Sequence, residues 1–178
     1  RYRVQTTTAA TNNIAVAGTP VYTYFTKLET LVGSQVVESI NNYGQLCNMI
    51  VNCKMTPSQK VGVANAFGYA EASTSVALSN VNVNGRAMIA GAGTDTAFYS
   101  GPLNCILANA DKLVPLKFMP ACRIQLTIDT LANIYAQLTN AASVEPSAFT
   151  LTNFELCYDI VDFPSEVDAA IGSMADAN

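Results

Sequence analysis

Gly33-Ser34 lies between two runs that favour extended chain, and no other feature of the sequence constrains the fold as tightly. Upstream, Val21 to Val32 is rich in β-branched and aromatic residues (Val21, Tyr22, Thr23, Tyr24, Phe25, Thr26), and Gln35-Val36-Val37-Glu38-Ser39-Ile40 follows. Such side chains fit a pleated, half-buried surface. A two-residue Gly-X loop between them predicts a type II′ hairpin, because glycine supplies the positive φ required at the first turn position. At least one antiparallel pair is therefore written into the chain.

Period-two alternation recurs on both sides of this hairpin. Residues 1–8 set Tyr2 and Val4 against Arg1, Arg3 and Gln5, a strand with one face buried. Ile14-Ala15-Val16-Ala17 is a further short run, and Gly18-Thr19-Pro20 after it reads as a turn. Strand character resumes at Ala97-Phe98-Tyr99. Lys112 to Pro120 is extended, but Pro115 and Pro120 deny it a central place in a sheet. Residues 121–129 divide cleanly, with Cys122, Ile124, Leu126 and Ile128 on one face and Arg123, Gln125, Thr127 and Asp129 on the other. Phe149 to Phe163 is the longest strand signal. Phe149 and Leu151 have odd parity while Phe154, Leu156, Tyr158 and Ile160 have even parity, so one face holds both sets only if a bulge or bend intervenes near Asn153.

Helical spacing is confined to short stretches. Tyr43, Leu46, Cys47, Ile50 and Val51 share a face of a helix over 42–53. Thr56-Pro57 offers a cap and a proline at the first helical position, and Gly68 a stop, for a second helix over 57–67. Leu131, Ile134, Tyr135 and Leu138 have helical spacing as well. Ser165-Glu166-Val167-Asp168 resembles a capping box and opens a helix whose apolar stripe is Val167, Ala170, Ile171 and Met174. Residues 70–95 are small and polar; within them Val76/Leu78 and Val81/Val83 alternate, and Asn84-Gly85 is a type I′ hairpin signal leading to Arg86-Ala87-Met88-Ile89. The whole reads as one all-β domain over 1–178, an antiparallel sandwich or barrel with a few short helices and an excursion at 70–95. The opening, Arg1-Tyr2-Arg3-Val4, reads like the middle of a strand, as in a piece of a longer polypeptide.

Composition narrows the function. The 178 residues include no histidine, which excludes Ser-His-Asp and Cys-His nucleophiles, a histidine base and the usual zinc enzyme sites. Nine Lys plus Arg, scattered singly, give no electrostatic footprint for nucleic acid. No run of 18 apolar residues predicts a transmembrane helix, and no signal peptide pattern occurs at the start. Only 12% of residues are charged, about half the share in ordinary soluble domains, with Thr, Asn, Ser and Gln supplying the polarity instead. Interface cores are depleted of charge, so such a surface is suited to cover by other subunits. A neutral, sticky surface on a secreted domain is the competing reading.

Individual groups offer little chemistry. Cys47, Cys53, Cys105, Cys122 and Cys157 are odd in number and lack a C-x-x-C spacing; Cys105, Cys122 and Cys157 sit in apolar surroundings and read as free, buried thiols in a reducing compartment. Glu155 and Asp159 share a strand face with Asp162 beyond them, yet positions i and i+4 are about 13 Å apart, too far for a glycosidase pair. Asp95, Asp111 and Asp129 lie outside any calcium-loop pattern. Gly85 to Gly93 lacks the Gly-Lys-Ser/Thr ending of a phosphate loop. Tyr22, Tyr24 and Phe25 lack the adjoining cations of a base-stacking platform. The expectation is no catalytic residue, no metal and no cofactor.

Three segments carry a family resemblance: Leu28 through Leu46, with its hairpin and following helix; Lys112-Leu113-Val114-Pro115-Leu116 running into Cys122 to Asp129; and Phe149 to Phe163, ending in Asp162-Phe163-Pro164. Together they resemble viral jelly-roll capsid proteins, specifically the double jelly-roll major capsid lineage of tailless icosahedral DNA viruses. At 178 residues the chain has the size of one roll with excursions, whereas a double-roll subunit needs roughly twice that length. The resemblance implies an antiparallel jelly-roll sandwich, a structural coat protein of the virion assembled in host cytoplasm or nucleus, and partners that are copies of itself, as trimers, and other capsid proteins. It implies inter-subunit faces and no active site. The subunit contacts expected here are Arg86 and Met88 in the excursion and Val167, Ala170, Ile171 and Met174 on the C-terminal helix. The alternative is a carbohydrate-binding or adhesive β-sandwich module using exposed Tyr and Asn/Asp at loop tips.

Overall fold

A computed structural model describes residues 1–8, 14–16, 18–68, 93–110, 112–137 and 148–176. The expected excursion falls mostly on 69–92, outside the described residues, and with it Arg86, Met88, the 76–83 alternation and the Asn84-Gly85 turn. Three antiparallel groups of strands organise the rest. The first sheet has order β5-β1-β8, with β1 (Tyr2–Thr8) between β5 (Gly93–Tyr99) and β8 (Ala148–Thr152). The second has order β4-β3-β6, with β3 (Phe25–Val32) between β4 (Gln35–Asn41) and β6 (Cys122–Ile128). A two-stranded ribbon joins β2 (Ile14–Val16) to β7 (Tyr135–Gln137).

The hairpin forms as its turn chemistry requires. Val32 pairs with Gln35, and Gly33 has φ 61 whereas Ser34 does not enter the positive region, the pattern of a turn that is left-handed at its first position. The strand leading into it is shorter than expected. Pro20–Thr23 is a helical turn, α1, with Thr19 before it and Pro20 at its first position, so β3 begins only at Phe25. Thr-Pro is a helix-start signal here just as it is at Thr56-Pro57, and it overrides the β preference of Val21, Tyr22 and Thr23.

The helices make this a mixed α/β architecture rather than an all-β one, which corrects the sequence expectation. α2 (Tyr43–Lys54) buries Tyr43, Cys47 and Val51, as its spacing predicts, while Leu46 is exposed. It lies hard against the chain at 22–25: a Cβ on Gly44 would sit 2.8 Å from the Tyr22 carbonyl oxygen, so the approach requires glycine. The expected 57–67 helix is broken into α3 (Pro57–Gly62) and α4 (Ala64–Phe67). Thr56 and Gln59 form a reciprocal capping box at the start of α3, the Gln59 amide donating to Thr56 Oγ1 and the Thr56 amide to Gln59 Oε1 at 2.8 Å. α5 (Leu131–Ile134) is capped by Asp129, which accepts from the Thr130 amide and from Asn133 Nδ2. α6 (Ser165–Asp176) closes the described chain.

The core is an aromatic cluster where the two three-stranded sheets meet. Tyr2 packs edge-on against Phe25 at 5.4 Å and Tyr99 at 5.9 Å, and Tyr24 meets Phe149 at 5.6 Å. Edge-to-face and offset pairs of this kind add about 0.5–1.5 kcal/mol each beyond area burial. Tyr22, Tyr24 and Phe25 are therefore all interior, and the Tyr22 hydroxyl donates to the Pro102 carbonyl at 2.8 Å. Buried Thr30 donates to Glu38 Oε2, which also accepts from the Ile106 amide at 3.0 Å and so ties the 103–109 loop to β4.

Candidate functional site

β8 delivers the chain to a break in register. From Arg3↔Thr152 to Thr7↔Ala148 the β1 and β8 positions pair in step, whereas the next backbone bonds join Arg1 and Glu155, one residue later than that register. The extra residue is Asn153, with φ 53. This is the bulge that the parity change predicts: Phe149 and Leu151 pack on the core, and the inserted residue turns Phe154 to the same side, stacked on Tyr2 at 5.5 Å. The Arg1 guanidinium pairs with the Glu155 carboxylate, holding that carboxyl below its ordinary range, chiefly by hydrogen bonding.

Past Glu155 the expectation fails. The long strand signal is realised only as far as Thr152; residues 156–163 make no backbone hydrogen bond to another segment among the described residues. The alternating side chains that a core strand would bury are left in solvent: Phe154 is 55% exposed, Leu156 62%, Tyr158 67% and Ile160 73%, with Val161 and Phe163 exposed beyond them. We call residues 154–163 the arm. With each aromatic side chain carrying about 150–250 Å2, the even-numbered row leaves roughly 400–600 Å2 of apolar surface uncovered, the size of the largest patch on a typical monomer. Glu155, Cys157 and Asp159 form the opposite, polar row.

α6 follows the arm and folds back on the chain. Lys117, in a short helical turn at Leu116–Phe118, forms an ion pair with Asp168, and Gly172 lies against the Phe118 ring. Asp168 is thus engaged away from the helix start, where the Pro164 carbonyl accepts from the Val167 and Asp168 amides instead of a reciprocal capping box. Of the expected contact residues on this helix, Ile171 is half-buried, whereas Val167, Ala170 and Met174 are exposed.

The remaining chemistry-bearing groups stay dispersed. All five cysteines are free; Cys47 and Cys105 are buried, Cys122 is half-buried, and Cys53 and Cys157 are exposed. Cys157 thus departs from the buried role expected of it, because it belongs to the arm. Burial raises the Cys47 thiol above its ordinary range, against which Asn104 Nδ2 donates to its Sγ at 3.2 Å. Burial likewise raises the Tyr43 hydroxyl, which accepts from the Asn104 amide. Such groups are poor nucleophiles. Among the described residues no cluster of three or more Cys, Asp or Glu could hold a metal ion, and no helix is long and apolar enough to cross a membrane.

No known family, curated protein or solved structure matches this chain. The site the sequence reasoning placed on α6 and the excursion is joined, on the page of the structure, by one it overlooked: the arm. Its signal is present in the sequence, where Phe154, Leu156, Tyr158 and Ile160 recur at period two.

Proposed function

We propose that the chain is a structural coat subunit that self-assembles, as trimers of itself and with other capsid proteins, into a virion shell, and that it is not an enzyme. In this reading the antiparallel sheets belong to a jelly-roll sandwich. The observation that carries the proposal is the arm: a row of large exposed apolar side chains, Phe154, Leu156, Tyr158 and Ile160, with period-two spacing. Exposed surface of that kind marks an interaction site. The sparse charge of the chain and the outward-facing Val167, Ala170 and Met174 on α6 support the same reading.

Negative-stain electron microscopy of the purified chain tests it. Closed shells or regular trimers are the expected result. A monodisperse monomer at high protein concentration, with or without bound glycan, would refute self-assembly.

A further inference from the structure

We infer that the outward face of the first sheet binds a sugar that carries a carboxylate, with Arg3 gripping the carboxylate and Phe98 lying against the ring. The inference stands apart from the self-assembly reading, since a coat subunit and a lone domain present this face alike. Tyr2 and Val4 of β1 are buried, so Arg3 and Gln5, at the alternate positions, face away from the core. Arg3 stands opposite Phe98 of β5 and Thr152 of β8, and Gln5 opposite Thr150. The Arg3 guanidinium lies over the Phe98 ring, 5.7 Å from its centroid, while Phe98 itself remains 67% exposed. Nε of Arg3 is buried with no acceptor, and the side chain makes no hydrogen bond or ion pair among the described residues. The neighbouring cation, Arg1, is already taken by Glu155. Arg3 is thus held by the ring with its donors unused.

Size and charge select the ligand. Neighbouring strands lie about 4.8 Å apart and alternate residues about 7 Å apart, so Phe98, Arg3 and Thr152, with Gln5 and Thr150 in the next row, form a platform of roughly 10 Å by 7 Å. One six-membered sugar ring with its substituents covers such an area. The planar guanidinium fork matches a carboxylate in bidentate geometry. Asp95 is the one acid in these three strands; it pairs with Thr6, at the parity opposite to Arg3, so no carboxylate of the sheet competes on this face. Gln5 and Thr150 are exposed and Thr152 is half-buried, uncharged donors and acceptors of the kind that sugar hydroxyls use. The exposed aromatic ring offers apolar surface to the C–H face of the sugar. An acidic peptide fits less well: the β1 backbone is laddered to β5 and β8 on its two sides, whereas extended peptides are recognised largely through main-chain bonds. Phosphate recognition draws on clusters of arginine, and this face has one.

Saturation-transfer NMR on the full-length chain, with sodium glucuronate or N-acetylneuraminate as the probe, reads binding whether or not the protein is assembled. Saturation of either acid supports the inference, and the stronger responder identifies the class of acidic sugar. Glucuronate is expected to bind about tenfold more tightly than glucose, which has the same ring without the carboxylate. Arg3→Gln should remove that advantage and leave glucose binding unchanged. Phe98→Ala should weaken both sugars about fivefold; because the ring is largely in water, its loss should leave Tm nearly unchanged and keeps the test open if the Arg3 variant folds poorly. Arg123→Gln removes an exposed cation of the other three-stranded sheet and should alter neither sugar. No saturation of either acid, equal binding of glucose and glucuronate, or an equal loss on Arg123→Gln would overturn the inference. So would displacement of bound glucuronate by hexaglutamate or inorganic phosphate at the same concentration.

Discussion

Replacing Leu156 and Ile160 together by serine separates folding from assembly. In the isolated chain both side chains are mainly in water, 62% and 73% exposed, so their loss removes little packing. Surface changes of this kind stay within about 0.5 kcal/mol of neutral stability. Burying a whole Leu or Ile side chain contributes about 1.5–3 kcal/mol, and the exposed fractions leave roughly 1–2 kcal/mol from each to be gained only in an assembly. The double substitution should therefore cost about 2–4 kcal/mol of association per arm, a rise of roughly 30- to 1,000-fold in dissociation constant. Sedimentation equilibrium over a range of concentrations reads the constant, and thermal melting of dilute protein reads the fold. Unchanged association would refute the claim that the arm is an interface. A large drop in Tm of the dilute variant would show instead that the arm belongs to this chain's own core.

Leu28→Ala should behave in the opposite sense: Leu28 is fully buried in β3, and its truncation should lower unfolding free energy by about 2–5 kcal/mol in urea titration. Thr56→Ala removes the capping box of α3 and should cost about 1 kcal/mol, seen as faster amide exchange in residues 58–62. The Glu155 carboxyl is held below its ordinary range by Arg1, so the clasp stabilises the folded state above the usual carboxylate range and is lost as pH falls through the depressed value. An NMR titration of the Glu155 side chain should show that lowered midpoint, and Arg1→Ala should return it to the ordinary value. With a thiol reagent at neutral pH, Cys53 and Cys157 should react at once in dilute protein, Cys122 more slowly, and buried Cys47 and Cys105 only on unfolding.

Local chemistry was most legible where one residue type decides the backbone. Gly33 specified its turn, Thr56-Pro57 its helix start, and the alternation of Cys122 to Ile128 its strand, because each signal is complete within a few residues. Thr19-Pro20 carries the same helix-start information, but the β-branched run after it masks that signal, so the pattern extends β3 by the length of a helical turn. The parity break at Asn153 was legible too, since a bulge is the single-residue remedy for it. The fate of the arm was not. Alternation reports that one face of a segment is apolar; it does not report which molecule supplies the other half of the ladder. The same blindness explains Cys157, whose apolar neighbours suggested burial while the whole segment stands in water. The α/β balance was less legible, because Pro20–Thr23 turns helical inside a β-rich run and the strand signal at Phe149 to Phe163 forms a strand only over Ala148–Thr152.

Amide hydrogen exchange of residues 156–163, followed as a function of protein concentration, bears most directly on whether this chain is covered by its own kind. Exchange near free-peptide rates in dilute solution, with protection rising together with assembled mass, is the predicted result. Protection that is already present in the dilute monomer, or absent at every concentration, would contradict the account.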